Sequence, residues 1–186
     1  MNVNIKELGN DQEQIEKAQK FLFKMIKKEF GYDYIPKRHA DIVNIEEYYV
    51  IPERNAFFVA YSEEGEIIGT IGIRAYDKDF EQFRGVYSSQ NTTSIWRLFI
   101  DERYRRFGLA TKIYSIAEKF AKEKGFSDIY LHTHRTLPGA LQYWMKMGFT
   151  IKLDEHDELE TIHMDKHIRK IEISPQAGIL NYAIKL

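Results

Sequence analysis

Residues 94–124, SIWRLFIDERYRRFGLATKIYSIAEKFAKEK, leave the chain little choice in how it folds around them. Ile95, Trp96, Leu98, Phe99 and Ile100 form the apolar run of a half-buried or fully buried strand. A polar, basic turn follows over residues 101–107, and then comes Gly108. Leu109, Ile113, Ile116, Ala117, Phe120 and Ala121 recur at spacings of three and four, which lays them along one apolar stripe of a helix.

The junction between strand and helix carries the chemistry. Arg105, Arg106, Phe107, Gly108, Leu109 and Ala110 have the form R-x-x-G-x-A. A helix start leaves its first amide N–H groups without partners, and the helix dipole makes that end positive. Such an end accepts a phosphate. Gly108 has no Cβ, so an anion can approach the backbone closely. Ala110 keeps the next turn small, and the two arginines add charge beside the anion.

This junction resembles the acyl-CoA pyrophosphate loop of the GNAT N-acetyltransferase superfamily, whose pattern is Q/R-x-x-G-x-G/A. It follows a strand, RLFID, and opens an amphipathic helix. Residues 140–149, ALQYWMKMGF, resemble the family's second signature, a short helix and then Gly-Phe leading into a strand. The two signals stand in the family's order, and the resemblance covers residues 57–165. It implies an α/β domain with a mixed, mostly antiparallel central sheet, helices on both faces and a splayed central strand pair. It also implies acetyl-CoA as acyl donor, with no metal. The amides of residues 106–111, Thr111 included, would take the pyrophosphate. The backbone of Leu98, Phe99 and Ile100 would pair with the pantetheine arm.

Composition narrows the partners. The 186 residues suit one domain, with 1–167 as the acetyltransferase domain and 168–186 as a C-terminal extension. A formal net charge of −1 provides no global field to recruit nucleic acid. The chain has no cysteine, which excludes disulfides, a thiolate nucleophile and cysteine-based zinc sites. The first residues lack the apolar core of a signal peptide, and no apolar run approaches the ~18 residues of a membrane span. These features fit a cytoplasmic protein.

Taken in order, residues 2–8 read as a strand, and Asp11 caps a long amphipathic helix ending at Gly31. Pro36 breaks residues 32–49, with a short second helix at 41–47. In the resembling family this region caps the acceptor site, so Tyr32, Tyr34, Glu46, Glu47, Tyr48 and Tyr49 are candidates to line it. Residues 56–61 and 66–76 are strands, and Gly69 and Gly72 mark a bulge or a close approach by another chain or a ligand. The polar loop at 77–93 would shape the acceptor entrance. Residues 127–134 form the next strand, 137–147 a short helix with Pro138 in its first turn, and 149–153 with 161–166 an antiparallel pair. Asp154, His156, Asp157 and His163 match no metal-site spacing. The alternating ILNYAIKL of the tail fits an added edge strand or a contact in a homodimer.

An acetyl transfer to an amine has one demanding step. A lysine-like amine of pKa ~10.4 is neutral in only ~1 molecule in 2,500 at pH 7, a cost of ~4.6 kcal/mol. A base must therefore remove that proton, whereas protonating a departing thiolate is easier. A backbone N–H near Leu98 or Phe99 would stabilise the oxyanion. The chain departs from its relatives at the acid and base. Ser94 stands where many members carry glutamate, Trp144 where many carry the acidic tyrosine, and Leu137 in the region of a helix-start asparagine. The substitutes are Tyr143 as acid and His134 as base, with His132 behind it; Trp144 is assigned to the acyl-pantetheine arm. The acceptor expected is a small amine, an amino acid or a polyamine, ahead of a protein. Two other classes stay open: a non-catalytic acyl-CoA-binding sensor module, favoured by the missing glutamate and tyrosine, and a nucleic-acid binder, disfavoured by the charge.

Overall fold

The computed structural model describes residues 3–168. Among them, seven strands make one sheet: β1 (Asn4–Glu7), β2 (Ala56–Tyr61), β3 (Ile67–Ala75), β4 (Thr92–Ile100), β5 (Asp128–His134), β6 (Thr150–Asp154) and β7 (Thr161–His167). Their order is β1-β2-β3-β4-β5-β7-β6. Every neighbouring pair is antiparallel except β4 and β5. The helices are α1 (Gln12–Phe30), α2 (Pro36–Val43), α3 (Leu109–Glu123) and α4 (Ala140–Lys146).

The alternation of β2 explains why both faces are covered. Ala56, Phe58 and Ala60 pack with Leu109, Ile113 and Ala117 of α3, while Phe57 and Val59 pack with Leu22 and Ile26 of α1 and Ile42 of α2. The mixed sheet with helices on both faces expected from the sequence is therefore present. Local chemistry sets the ends of α1. Asp11 accepts from the amides of Glu13 and Gln14, and Gly31 closes the helix with φ of 75°.

Two expectations about proline need correction. Pro36 does not break a helix but starts α2, at its first turn, where its missing N–H costs nothing. The helix expected at 41–47 thus begins earlier, and a π-helical turn, Glu46–Val50, follows it. Pro138 lies ahead of α4, which starts only after Gly139. The expected strand and tail contact at 168–186 lie outside the described residues, apart from Ile168, whose amide donates to the Ser127 carbonyl at 2.7 Å.

The central strands part. β4 pairs with β5 only from Thr92 to Ser94, opposite Asp128 to Tyr130. Beyond that rung β4 keeps β3 as partner and turns no ladder toward β5, which is the splay implied by the resemblance. Thr70 and Gly72 of β3 face Phe99 and Trp96, so β4 fits one extra residue into that interval. The bulge centres on Arg97, whose φ is 50°. The two strand glycines both mark close approaches. A Cβ on Gly72 would sit 2.7 Å from the Tyr49 ring, and one on Gly69 would sit 2.8 Å from the end of Ile100.

Gly72→Ala is therefore expected to lower unfolding stability by about 1–3 kcal/mol through overpacking against Tyr49. Gly9→Ala, which meets nothing within 4 Å, serves as the control. Urea unfolding of both variants checks this, and equal stability of the two would contradict the packing described.

Candidate active site

At and just past the last paired rung, where the slot between β4 and β5 opens, β4 carries two buried polar atoms with no hydrogen-bond partner among the described residues, Ser94 Oγ and Trp96 Nε1. Ser94 lies at the last paired rung, and Trp96 just past it. Tyr143 comes from α4, with Thr111 of α3 beside it. Each orphaned group costs about 1–3 kcal/mol when nothing satisfies it.

The mouth of the slot is the start of α3. Gly108 is left-handed, φ 78°, and no side chain caps the helix. Its first amides are thus left to other acceptors. Arg106 is also left-handed, φ 68°, and exposed. Arg106 makes no ion pair among the described residues, so its charge is available at the loop. Arg105 is committed elsewhere, because its guanidinium pairs with Glu29 and its Nε donates to the Ile100 carbonyl at 3.0 Å. It braces the turn against α1. Leu109 is buried and Ala110 half-buried, anchoring the helix on the sheet. Phe107 is 71% exposed and stands out of the loop. Leu98 and Phe99 are half-buried and Ile100 buried along the unpaired stretch of β4. These donors and this open strand fit an acyl-CoA.

The proposed acid and base lie on opposite sides of the sheet. Tyr143 packs edge-on against Trp144, ring centroids 5.0 Å apart, on the α3 side. Burial pushes its phenol well above the usual value, with Thr111 acting in the other direction, so it holds its proton at neutrality. His134 is on the α1 side, against Phe30, with Nδ1 3.5 Å from Thr161 Oγ1. Burial lowers its pKa, while Leu159 and Asp157 act to raise it. The imidazole is neutral at pH 7 and can take a proton. Burial, followed by the charge of Lys78, lowers His132 to about 3, which makes it too weak a base to hold one. Trp144 is 6% exposed and packs edge-on or tilted against Tyr114, Tyr143 and Phe149.

The lid residues divide. Tyr49 belongs to the core, beside Phe57. Tyr48 lies under the Arg74 guanidinium, and Glu46 accepts from Gln12. Tyr32 stacks on Phe30 and on His39, and Tyr34 meets Phe23 edge-on, which roofs the slot near His134. An open cleft of about 540 Å³ is lined by the lid residues Glu47 and Tyr48 together with Arg74 and Asp77, and Arg74 also lies over the Trp96 ring. Among the described residues no three His, Asp or Glu side chains converge as metal ligands. None of the described helices is long and apolar enough to cross a membrane.

Sequence reading missed the network that holds the lid to the slot. Arg97 Nε and Nη2 donate to the two Asp41 carboxylate oxygens at 3.0 and 2.6 Å, and Nη2 also reaches the Arg38 carbonyl. The Tyr49 hydroxyl donates to Asp41 at 2.7 Å. The signal was present as a lone arginine inside IWRLFI. Lys78 was missed too. It comes from the loop after β3, and its ammonium lies 3.5 Å from the Trp96 ring centroid.

Burial pushes the Asp41 carboxyl up, but hydrogen bonds and charge from Arg97, with help from Tyr49, bring it below its usual value. A depressed folded pKa stabilises above the unfolded value of ~3.9, and that stability is lost as pH falls through the folded value. Arg97→Met leaves this carboxylate buried and unpaired, so a loss of about 3–5 kcal/mol is expected at pH 7. The deficit relative to the unaltered protein should shrink toward about pH 4, as the stranded Asp41 takes a proton. Urea unfolding across that range checks it; a deficit independent of pH would contradict the assignment.

Comparison with known proteins agrees with this geometry. The sequence profile described as Acetyltransferase (GNAT) family matches residues 20–149. N-acetylaspartate synthetase of Homo sapiens is 28% identical over 111 residues, which is 60% of this chain and 33% of that protein. N-acetyltransferase 8 of Homo sapiens is 28% identical over 109 residues, 59% of this chain and 44% of that one. The matched region thus spans less than half the length of these relatives. A GNAT-family acetyltransferase from Staphylococcus aureus Mu50 superposes with a TM-score of 0.73 at 20% identity, over 90% of this chain and 100% of that one. PaiA N-acetyltransferase from Thermoplasma acidophilum, solved in complex with coenzyme A, gives 0.64 at 18% identity over 90% and 100%. With its profile match, its sheet and its parted central strands, the chain belongs to the GNAT acetyltransferase family.

Proposed function

We propose that this chain is an acetyl-CoA-dependent N-acetyltransferase that moves the acetyl group to a primary amine of a small molecule by direct attack. The observation that carries the reading is the slot itself. It opens where β4 leaves β5, and the uncapped start of α3 follows the end of β4 in the chain. The relatives named N-acetylaspartate synthetase support a small acceptor, because that name describes an acetylated amino acid.

The residues divide the work. The amides of residues 106–111, with Arg106, hold the diphosphate by charge and hydrogen bonding. The unpaired edge of β4 at Leu98, Phe99 and Ile100 lines the acyl arm and supplies the N–H that stabilises the developing oxyanion. A C–N bond forms to the acetyl carbon as the C–S bond breaks. The nitrogen's proton leaves toward neutral His134, and the sulfur takes the Tyr143 phenolic proton. No nucleophilic cysteine is available for a covalent acyl-enzyme. The buried Ser94 where relatives carry glutamate favours the other reading, a sensor that binds acyl-CoA without turnover. Thiol release over an amine panel separates them, since a sensor binds and releases none.

Gly108→Glu is expected to abolish coenzyme A binding by calorimetry, through like charge and the strain of a left-handed backbone. Gly108→Asn, which tolerates that conformation, should retain most of it. Equal affinity of both variants would refute the phosphate assignment. Tyr143→Phe should lower kcat by about 100-fold or more with coenzyme A affinity unchanged, the range for a lost general acid. An unaffected kcat would return Tyr143 to packing.

A further inference from the structure

The charges around Trp96 do not balance. Arg97 is matched by Asp41, and Arg74 is matched by Asp77. Lys78 makes no hydrogen bond and no ion pair among the described residues. Its half-buried side chain lies over the Trp96 ring, whose other cationic neighbours, the Arg74 and Arg97 guanidinium groups, are 4.3 and 5.8 Å from the same centroid. Phe80 of its own loop is 5.8 Å away. His132 completes this corner from β5, with Phe80 between it and the loop. Lys78 thus carries a charge with no ion-pair partner among the described residues over the ring of Trp96, whose indole N–H is itself unpaired, and Trp96 packs with the α1-side cluster.

We propose that the acceptor is an amine that also carries a carboxylate, and that Lys78 and the Trp96 indole N–H hold that carboxylate. This rests on the acetyltransferase reading above and names its substrate class. A carboxylate would neutralise the corner and accept from both donors, leaving the amine free to face the acetyl carbon. A polyamine would bring a second positive charge beside Lys78, Arg74 and Arg97, which like-charge repulsion disfavours. The choice between amino acid and polyamine left open by the sequence is thereby made.

The environment of Lys78 adds a pH signature. Burial, then the charges of Arg74 on β3 and Arg97 on β4, lower its pKa to about 7, with Asp41 on α2 acting to raise it. His132 at about 3 stays neutral and Asp41 stays ionised above neutrality. Of these groups, Lys78 alone changes charge near pH 7. A bound carboxylate favours its protonated form, so carboxylate binding should weaken as pH rises through that region.

The test uses pairs of acceptors differing in one group: α-amino acids and their carboxamides, with spermidine as the cationic comparison. Thiol release should favour the acids by about 10- to 100-fold in kcat/KM, the range for a hydrogen-bonded charge. Lys78→Met should collapse that preference, and Lys78→Arg should restore part of it. Binding of an N-acetylated amino acid, which has no titratable amine, should be tighter at pH 6 than at pH 9, and Lys78→Met should remove the difference. Equal use of acids and carboxamides, a preference for spermidine, or a preference that survives in Lys78→Met overturns the proposal. Coenzyme A titration separates the two levels: if it binds while carboxylates do not, the substrate class alone fails. If it does not bind, the acetyltransferase reading fails, and this inference with it.

Discussion

The structure depends on β4 abandoning its parallel partner after three residues. A parallel ladder left incomplete exposes backbone donors and acceptors in the middle of a sheet, which a fold tolerates only where something else will use them. The parting is held by contacts on both sides. On the α1 side, the bulge at Arg97 is tied to Asp41, Asp41 to Tyr49, and the Tyr49 ring fills the space that Gly72 leaves. On the other face, α3 bridges the two halves of the sheet. It packs on β2 and β3, while Glu118 binds Lys166 of β7 at 2.6 Å and Tyr114 meets Trp144 and Phe149. The slot is therefore framed by elements that have their own reasons to stay apart.

That frame also sorts the chemistry by side. Tyr143 and the α3 start lie on one face, the side proposed for the thiol and the diphosphate. His134, Lys78 and Arg97 lie with the lid on the other, the side proposed for the amine. Burial raises the Tyr143 phenol and lowers the His134 imidazole, directions that suit the acid and base proposed for them. The Arg97–Asp41 pair contributes differently. It fixes α2 to the bulge in β4.

The parts legible in the sequence were those with local causes. The strand, turn and helix of residues 94–124 are written in apolar spacing and one glycine, and the structure places them with little change. Asp11 and Gly31 mark the ends of α1 by the same local logic. Gly69 and Gly72 announced close approaches, though not that Tyr49 and Ile100 made them. Pro36 misled because one residue type both breaks helices and starts them, and only the following turn decides which. The Glu29 partner of Arg105 had no signal, because it comes from a distant helix. Nor did the sequence say which face of α4 turned inward, so the burial of Trp144 among Tyr114, Tyr143 and Phe149 was not legible. Lys78 had no signal at all: a lysine in a polar loop becomes notable only when folding brings it over Trp96 with no carboxylate beside it.

A crystal structure of the protein soaked with coenzyme A addresses the parted strands most directly. The account predicts the diphosphate on the amides of residues 106–111 and the pantetheine arm running beside Leu98, Phe99 and Ile100, between β4 and β5. Coenzyme A bound elsewhere, or a β4–β5 ladder that continues past Ser94 and closes the gap, would contradict it.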